Sequence, residues 1–123
     1  MKTRYDDATP FITKDGSVIR EFMHPDHHAS RTMSFAEAIV SAGAETLLHY
    51  HTQSEEIYHI TAGHGVMRLG ERHFPIASGD TIVLSPGTPH NVINSGTVAL
   101  KILCACHPAY SHDDTIIMAV EKK

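Results

Sequence analysis

Four residues of this 123-residue chain have the types and spacing of metal ligands: His49, His51, Glu56 and His90. In a β-strand, residues i and i+2 point to the same face and lie roughly 6.5–7 Å apart along the backbone. His49 and His51 therefore project side by side, Glu56 adds an anionic oxygen, and His90 completes the set if its strand lies alongside. Three imidazoles and one carboxylate suit a divalent transition metal. On an octahedral ion these four ligands would leave two positions for water, substrate or dioxygen.

The elements that must position these residues read as short strands separated by turns. Runs rich in β-branched and aromatic residues, bounded by Gly, Pro, Asn, Asp and Ser, predict strands at residues 18–23, 33–40, 46–51, 56–61, 66–69, 73–76, 81–84, 90–93 and 98–106. Within residues 33–40, Ala36, Glu37 and Ala38 equally favour a helix turn. Turn signals every eight to twelve residues, with little helical periodicity, predict an all-β sandwich or barrel. In the tail, Ser111-x-x-Asp114 before residues 115–120 is typical of a capped helix start. A tail strand or a loose terminus fits the same residues equally well.

The four candidate ligands lie within two longer motifs of glycines and polar residues. The first is Gly43, His49-Tyr50-His51, Glu56 and Gly63, and the second is Gly79-Asp80, Gly87, His90 and Asn94. Together they resemble the two conserved motifs of the cupins over residues 43–94. One position departs from that pattern, because Ser85 stands where the second motif usually has a proline and Pro86 follows it.

The resemblance implies an all-β fold, an antiparallel double-stranded β-helix or jelly-roll barrel, with His49, His51, Glu56 and His90 as ligands of the metal. We expect one cupin domain over residues 1–123, with an amino-terminal arm and strands at 1–32, the barrel at 33–107 and a tail at 108–123. We further expect one divalent transition metal per chain (Mn, Fe, Ni or Zn) and, as in similar cupins, a homodimer. Glu56 is preferred to Glu55 as ligand, because it has the motif's six-residue gap to Gly63 and begins its strand.

Strand alternation sorts the neighbouring side chains. With His49 and His51 facing inward, Leu47 faces inward too, whereas Thr46, Leu48 and Tyr50 face outward. The same rule turns inward Tyr58, Ile60, Val92, Asn94, Leu100, Ile102, Cys104 and Cys106, and turns outward His59 and Lys101. From these and the tail we take Tyr58, Asn94, Cys104 and Tyr110 as candidate pocket residues, in a mostly apolar inner wall. The two cysteines are interpreted as small buried hydrophobes, with a softer metal site or a redox role as the alternative.

The remaining histidines have less specific contexts. His24, His27 and His28 cluster in a polar loop, which is interpreted as solvated, with a lid or an adventitious metal site as the alternative. His64 and His73 are expected to be exposed. Tyr110, His112 and Asp114 follow the last long strand and either fold across the barrel mouth to supply an acid or base or simply cap the tail.

Composition narrows the functional classes. The net charge is −4 and no Lys/Arg cluster is present, which argues against nucleic acid and anionic membrane partners. No apolar leader or membrane-length segment occurs, so a cytoplasmic location is expected. The favoured hypothesis is a metalloenzyme for a small oxygenated organic molecule, with decarboxylase-, dioxygenase- or isomerase-like chemistry. The alternative is a non-catalytic, metal-dependent barrel that binds or senses a small molecule.

Overall fold

The computed structural model describes residues 1–118, which form two antiparallel β-sheets around a shared apolar core. The strands are β1 Phe11–Ile12, β2 Val18–Met23, β3 Ser34–Val40, β4 His49–His51, β5 Glu55–Ala62, β6 His64–Leu69, β7 Arg72–Ala77, β8 Thr81–Leu84, β9 His90–Ile93, β10 Leu100–His107 and β11 Thr115–Ile117, with one 3₁₀ turn at Tyr5–Asp7. The six-stranded sheet has the order β1-β2-β3-β10-β5-β8, and the five-stranded sheet has the order β11-β4-β9-β6-β7. This all-β architecture confirms the predicted fold class. Within residues 1–118 no helix is long and apolar enough to cross a membrane.

The core is built by strand alternation, as predicted. Along β10, Leu100, Ile102, Cys104 and Cys106 are buried while Lys101 is only half-buried. On β5, Tyr58 and Ile60 point inward with Glu56, and His59 faces outward. Because successive side chains of a strand point to opposite faces, every second residue of these long strands enters the space between the sheets. The same period therefore delivers Glu56 and the two cysteines to the interior.

Strand pairing brings distant parts of the chain to one end of this interior. His49 on β4 pairs directly with His90 on β9, and both belong to the five-stranded sheet. In the opposite sheet, Glu56 on β5 pairs directly with Cys106 on β10. The site is consequently assembled across the two sheets, with imidazoles on one side and the carboxylate on the other.

The segment before β4 departs from the prediction. Thr46 is buried and Leu47 is 49% exposed, the reverse of the expected alternation. The regular strand starts only at His49, because Thr46 Oγ1 accepts a hydrogen bond from the Val92 amide and the Leu47 amide donates to the carbonyl of Asp15. The Thr46 amide still donates to the carbonyl of Val92, but the ladder is interrupted at Leu47, so the period of two does not extend upstream of His49.

The carboxyl-terminal segment is a strand, which is one of the alternatives left open by the sequence, and the described residues form no helix at Ser111. Thr115–Ile117 pairs antiparallel with His49–His51. Asp114 accepts hydrogen bonds from the amides of Gln53 and Ser54 instead of capping a helix. The carboxylate that suggested a helix cap stabilises a turn elsewhere in the chain, and positions 119 and 120 of the predicted helix lie outside the described residues.

Candidate metal centre

Three buried imidazoles form the centre of the site. His49, His51 and His90 each offer one ring nitrogen, and these atoms all lie within 4.8 Å of one another. The ring centroids are 5.4 Å apart for His49 and His51, and 4.3 Å apart for His49 and His90. The i, i+2 spacing on β4 and the cross-strand pair with β9 therefore produce the cluster that the sequence predicts.

Hydrogen bonds fix the orientation of all three rings. Nδ1 of His49 lies 2.7 Å from the carbonyl of Leu47, and Nδ1 of His90 lies 2.9 Å from the carbonyl of Thr88. A carbonyl only accepts, so each Nδ1 carries the proton. His51 Nδ1 lies 3.0 Å from Thr115 Oγ1, whose own proton goes to the carbonyl of Ser111. With Nδ1 as the donor, the neutral form of each ring has its free lone pair on Nε2, the form in which histidine binds a metal.

The surroundings of His90 disfavour its protonated form. Burial, with the adjacent His49 ring, lowers the pKa of His90 to about 4. Its Nε2 is buried and has no hydrogen-bond partner among residues 1–118. A buried, unpaired ring nitrogen is costly unless something binds it. A metal ion at the cluster would satisfy this lone pair.

Glu56 reaches the cluster from the opposite sheet. Its Oε1 lies 3.2 Å from His51 Nε2 and 3.9 Å from His90 Nε2, and it too is buried without a hydrogen-bond partner in the described part of the chain. The other oxygen, Oε2, accepts a hydrogen bond from the Cys106 thiol at 3.0 Å. Glu55 is exposed on the outer face of the same strand. The choice of Glu56 over Glu55 thus agrees with which residue faces the imidazoles.

Glu56 Oε1 passes a simple test for sharing an ion with His51 and His90. Two atoms that bind one ion at about 2.1 Å cannot be more than about 4.2 Å apart. The separations of Glu56 Oε1 from the His51 and His90 nitrogens satisfy that limit. Nitrogen donors with one hard carboxylate suit a divalent transition ion. The residues present fit a metal ion.

Asp15 is a residue of the site that the sequence reasoning missed. Its Oδ2 lies 3.7 Å from His49 Nε2, and the side chain is 14% exposed. Its Oδ1 accepts three hydrogen bonds, from Thr13 Oγ1, the Ser17 amide and Ser17 Oγ. Burial acts to raise the pKa of Asp15, but the hydrogen bonds from Ser17 and the nearby His49 outweigh it and hold this pKa below its usual value. The only sequence signal is the Asp-x-Ser turn, which does not reveal that the arm lies against the cluster.

A narrow cavity of about 50 Å³ adjoins the cluster. Tyr58, Cys104 and Tyr110, three of the four candidate pocket residues, line it together with Asp15 and Glu56. Burial raises the pKa of Tyr58 well above its usual range and that of Tyr110 to about 12, so both phenols are neutral. The Tyr110 ring centroid lies 6.0 Å from that of His51, so the tail does contribute to the mouth of the site.

Two expectations about the inner wall were wrong. Asn94 is buried but does not line the cavity, because its amide donates to the carbonyls of Val40 and Val98 and accepts from the Gly96 amide. The apolar residues expected in the wall, Ile60, Val92 and Ile102, belong instead to the core cluster. The amino-terminal segment supplies polar groups to the wall in their place: Thr13, Asp15, Ser17 and Glu21.

Both cysteines are free and buried, as their favoured interpretation predicts. They differ in their contacts, since Cys106 donates to the Glu56 carboxylate while the Cys104 thiol lies 3.8 Å from the carbonyl of Ile102. Burial, followed by the Glu56 carboxylate, raises the pKa of both thiols. Cys106 is therefore a neutral donor that orients Glu56.

The histidine loop lines a larger groove, of about 1070 Å³, outside the barrel mouth. The expectation of a solvated loop fails for His24, which is buried with its Nε2 2.7 Å from the carbonyl of Tyr110. His27 is exposed, and His28 accepts a hydrogen bond from the His24 amide. Across residues 1–118 these rings form no metal cluster. Phe11, Glu21 and Tyr110 line both the groove and the cavity, so the groove leads to the metal centre.

Comparison with known proteins agrees with this fold. Residues 36–106 match the family model of the Cupin domain, Cupin_2, and the chain therefore belongs to the cupin family. The uncharacterized protein MJ1618 of Methanocaldococcus jannaschii is 52% identical over 118 residues, covering 96% of this chain and 94% of MJ1618.

Among solved structures, a predicted oxalate decarboxylase of Thermotoga maritima is similar with a TM-score of 0.77 and 24% identity, covering 88% of this chain and 99% of that one. The nucleoside dehydratase Pac13 is similar with a TM-score of 0.76 and 18% identity, covering 96% of this chain and 90% of Pac13. Pac13 from Streptomyces has also been solved with uridine. At these identities the likeness establishes the fold.

Proposed function

We propose that this protein is a metal-dependent cupin enzyme that acts on a small oxygenated organic molecule. His49, His51, Glu56 and His90 would hold one divalent transition ion (Mn, Fe, Ni or Zn) per chain. Such an ion supplies Lewis-acid or redox chemistry to a ligand in its open positions. The reaction class is decarboxylase-, dioxygenase- or isomerase-like.

The observation that carries this proposal is a pair of buried atoms, His90 Nε2 and Glu56 Oε1, which have no hydrogen-bond partner within residues 1–118 and lie beside the oriented imidazoles. A buried polar group without a partner costs on the order of 1–3 kcal/mol. An ion bound between these two atoms would pair with both of them and would remove this free-energy cost. Small-molecule reactions in the names of the similar structures, the oxalate decarboxylase and the nucleoside dehydratase, support an enzyme with this barrel.

Groups other than the ligands would shape the chemistry. Tyr58 and Tyr110 are neutral phenols at the cavity and can donate hydrogen bonds to a bound molecule. Cys104 offers a small apolar wall, and Cys106 holds Glu56 in position. The cavity admits only the reacting end of a substrate, and the adjoining groove has room for the rest of it.

Activity assays on untagged protein carrying its native metal test this function. We expect consumption of dioxygen, release of carbon dioxide, or conversion of a hydroxylated compound in a screen of small acids, catechols, sugars and nucleosides. His49→Ala with His51→Ala should abolish that turnover. Tight binding of a ligand without any turnover would favour the alternative, a binding or sensing barrel, and would contradict the enzyme proposal.

We also propose a homodimer, on the basis of the outer face of the six-stranded sheet. Phe35, Ile57 and Val83 are all at least 40% exposed, and the register places them in one row with Ala105. An exposed apolar row of this kind is typical of an interface. Light scattering should give twice the chain mass for the native protein, and Val83→Glu should reduce it to one chain mass.

A further inference from the structure

We infer that the metal cavity selects an uncharged, hydroxyl-bearing ligand, and that Asp15 Oδ2 accepts the hydrogen bond from its hydroxyl group. This inference rests on the proposed metal site and adds the class of substrate. It is carried by the charges that line the cavity and by the way in which the amino-terminal arm holds Asp15.

The charge of the cavity is unsuited to an anion. Its lining contains three carboxylates, from Asp15, Glu21 and Glu56, and among residues 1–118 it contains no Lys or Arg. With a divalent ion bound, the formal charge of the cavity would be −1. An anionic substrate would raise the negative charge of a narrow, desolvated site, where interactions between charges are stronger than in water. A neutral ligand avoids this repulsion.

Lys14 is adjacent in sequence but does not offset this charge. Its Nζ donates to the carbonyls of His112 and Thr115, at 3.0 and 2.8 Å, and the residue is absent from the cavity lining. Those contacts tie the turn of the amino-terminal arm to the tail. The lysine therefore anchors the turn that carries Asp15 instead of facing the ligand.

Asp15 is arranged as an acceptor for the bound molecule. Its Oδ1 is occupied by the three hydrogen bonds from Thr13 and Ser17, and its main-chain carbonyl accepts from the Leu47 amide. Its Oδ2 receives no hydrogen bond from residues 1–118 and faces the cavity 3.7 Å from His49 Nε2. A hydroxyl group beside the metal can donate to this oxygen, whereas a second carboxylate there would be repelled.

A matched pair of probes tests the inference: glycolate, which is anionic, and glycolamide, its neutral analogue of nearly the same shape. Calorimetric titration of the Mn²⁺-loaded protein measures the affinity for each. Asp15→Asn removes one negative charge while keeping the side-chain size. We expect it to raise the ratio of glycolate to glycolamide affinity about tenfold. The exposed Asp6→Asn, which lies in neither the cavity nor the groove, is the control and should leave the ratio unchanged.

Metal analysis of every variant separates the ways in which the inference can fail. Wild-type protein that binds no metal would overturn the proposed metal site itself. A fully loaded Asp15→Asn with an unchanged ratio would overturn the role of Asp15 while leaving the metal site intact. Loss of metal in that variant would make Asp15 a ligand and also overturn it. If Asp15→Asn does not fold, Glu21→Gln is measured in its place. The same charge argument predicts that this variant also has a higher ratio of glycolate to glycolamide affinity, and an unchanged ratio would overturn the inference.

Discussion

Replacing Cys106 with alanine should weaken metal binding although Cys106 is not one of the four proposed ligands. The thiol donates to Glu56 Oε2 at 3.0 Å, and both residues are buried. Without it, Glu56 loses the donor that directs Oε1 towards His51 and His90. Residues that orient metal ligands typically contribute 10–100-fold to metal affinity, equivalent to about 1.4–2.7 kcal/mol.

Cys104 provides a matched control on the same face of the same strand. It is buried as well, but its thiol lies 3.8 Å from the carbonyl of Ile102. Cys104→Ala removes the same atom from the core without touching a carboxylate. Cys106→Ser keeps a donor, and we expect it to retain most of the affinity.

Competition between the protein and a chelator for Co²⁺, followed by the visible absorption of the bound ion, measures these affinities. The expected order is wild type close to Cys104→Ala, Cys106→Ser slightly weaker, and Cys106→Ala weaker by about 10–100-fold. Equal affinities of Cys106→Ala and Cys104→Ala would refute the positioning of Glu56 by the thiol.

Three further predictions follow from single contacts. Thr115→Val removes the acceptor for His51 Nδ1 and should lower Co²⁺ affinity about tenfold or more in the same competition assay, whereas Thr115→Ser should not. Gly63→Ala should lower the free energy of unfolding, measured in urea, by about 1–3 kcal/mol more than Gly79→Ala. Both glycines have positive φ, but of the two only Gly63 would place a Cβ against a carbonyl, at 2.7 Å. Equal losses of stability in the two variants would contradict this reason. In metal-free protein, the unfolded chain binds a proton at position 90 below pH 6.5 and the folded chain only below about 4. Stability should therefore rise with pH across that window, by at most about 3 kcal/mol, and urea unfolding of His90→Gln should lack this component if the cause is right.

The ligand cluster could be predicted from the sequence because each part of it depends on a local period. Two histidines at i and i+2 share a face in any regular strand, and the alternation of β5 and β10 places Glu56, Tyr58 and the cysteines inside. The motif spacing added His90. The facing of these side chains requires no knowledge of which strands are neighbours, whereas the inclusion of His90 rests on the resemblance to the cupin motifs.

The parts that could not be predicted depend on strand pairing or on irregular backbone. Cys106 was expected to be buried, but its contact with Glu56 follows from the register between β5 and β10. Asp15 lies in a turn of the amino-terminal arm, and nothing local indicates that the arm returns to His49. Thr46 and Leu47 were misassigned because a side-chain hydrogen bond replaces the regular ladder there. The Asp114 carboxylate could cap a helix or a turn, and in the structure it accepts hydrogen bonds from the amides of the turn at residues 52–54.

The central claim, a metal ion held by the three imidazoles and Glu56, is tested most directly by anomalous diffraction. Crystals of untagged protein, purified without added metal, would be measured at the absorption edges of Mn, Fe, Ni and Zn. We expect one peak per chain about 2.0–2.3 Å from Nε2 of His49, His51 and His90 and from Oε1 of Glu56. A peak at the histidine loop around His24, or fully ordered apo density at the cluster after metal has been supplied, would contradict the claim.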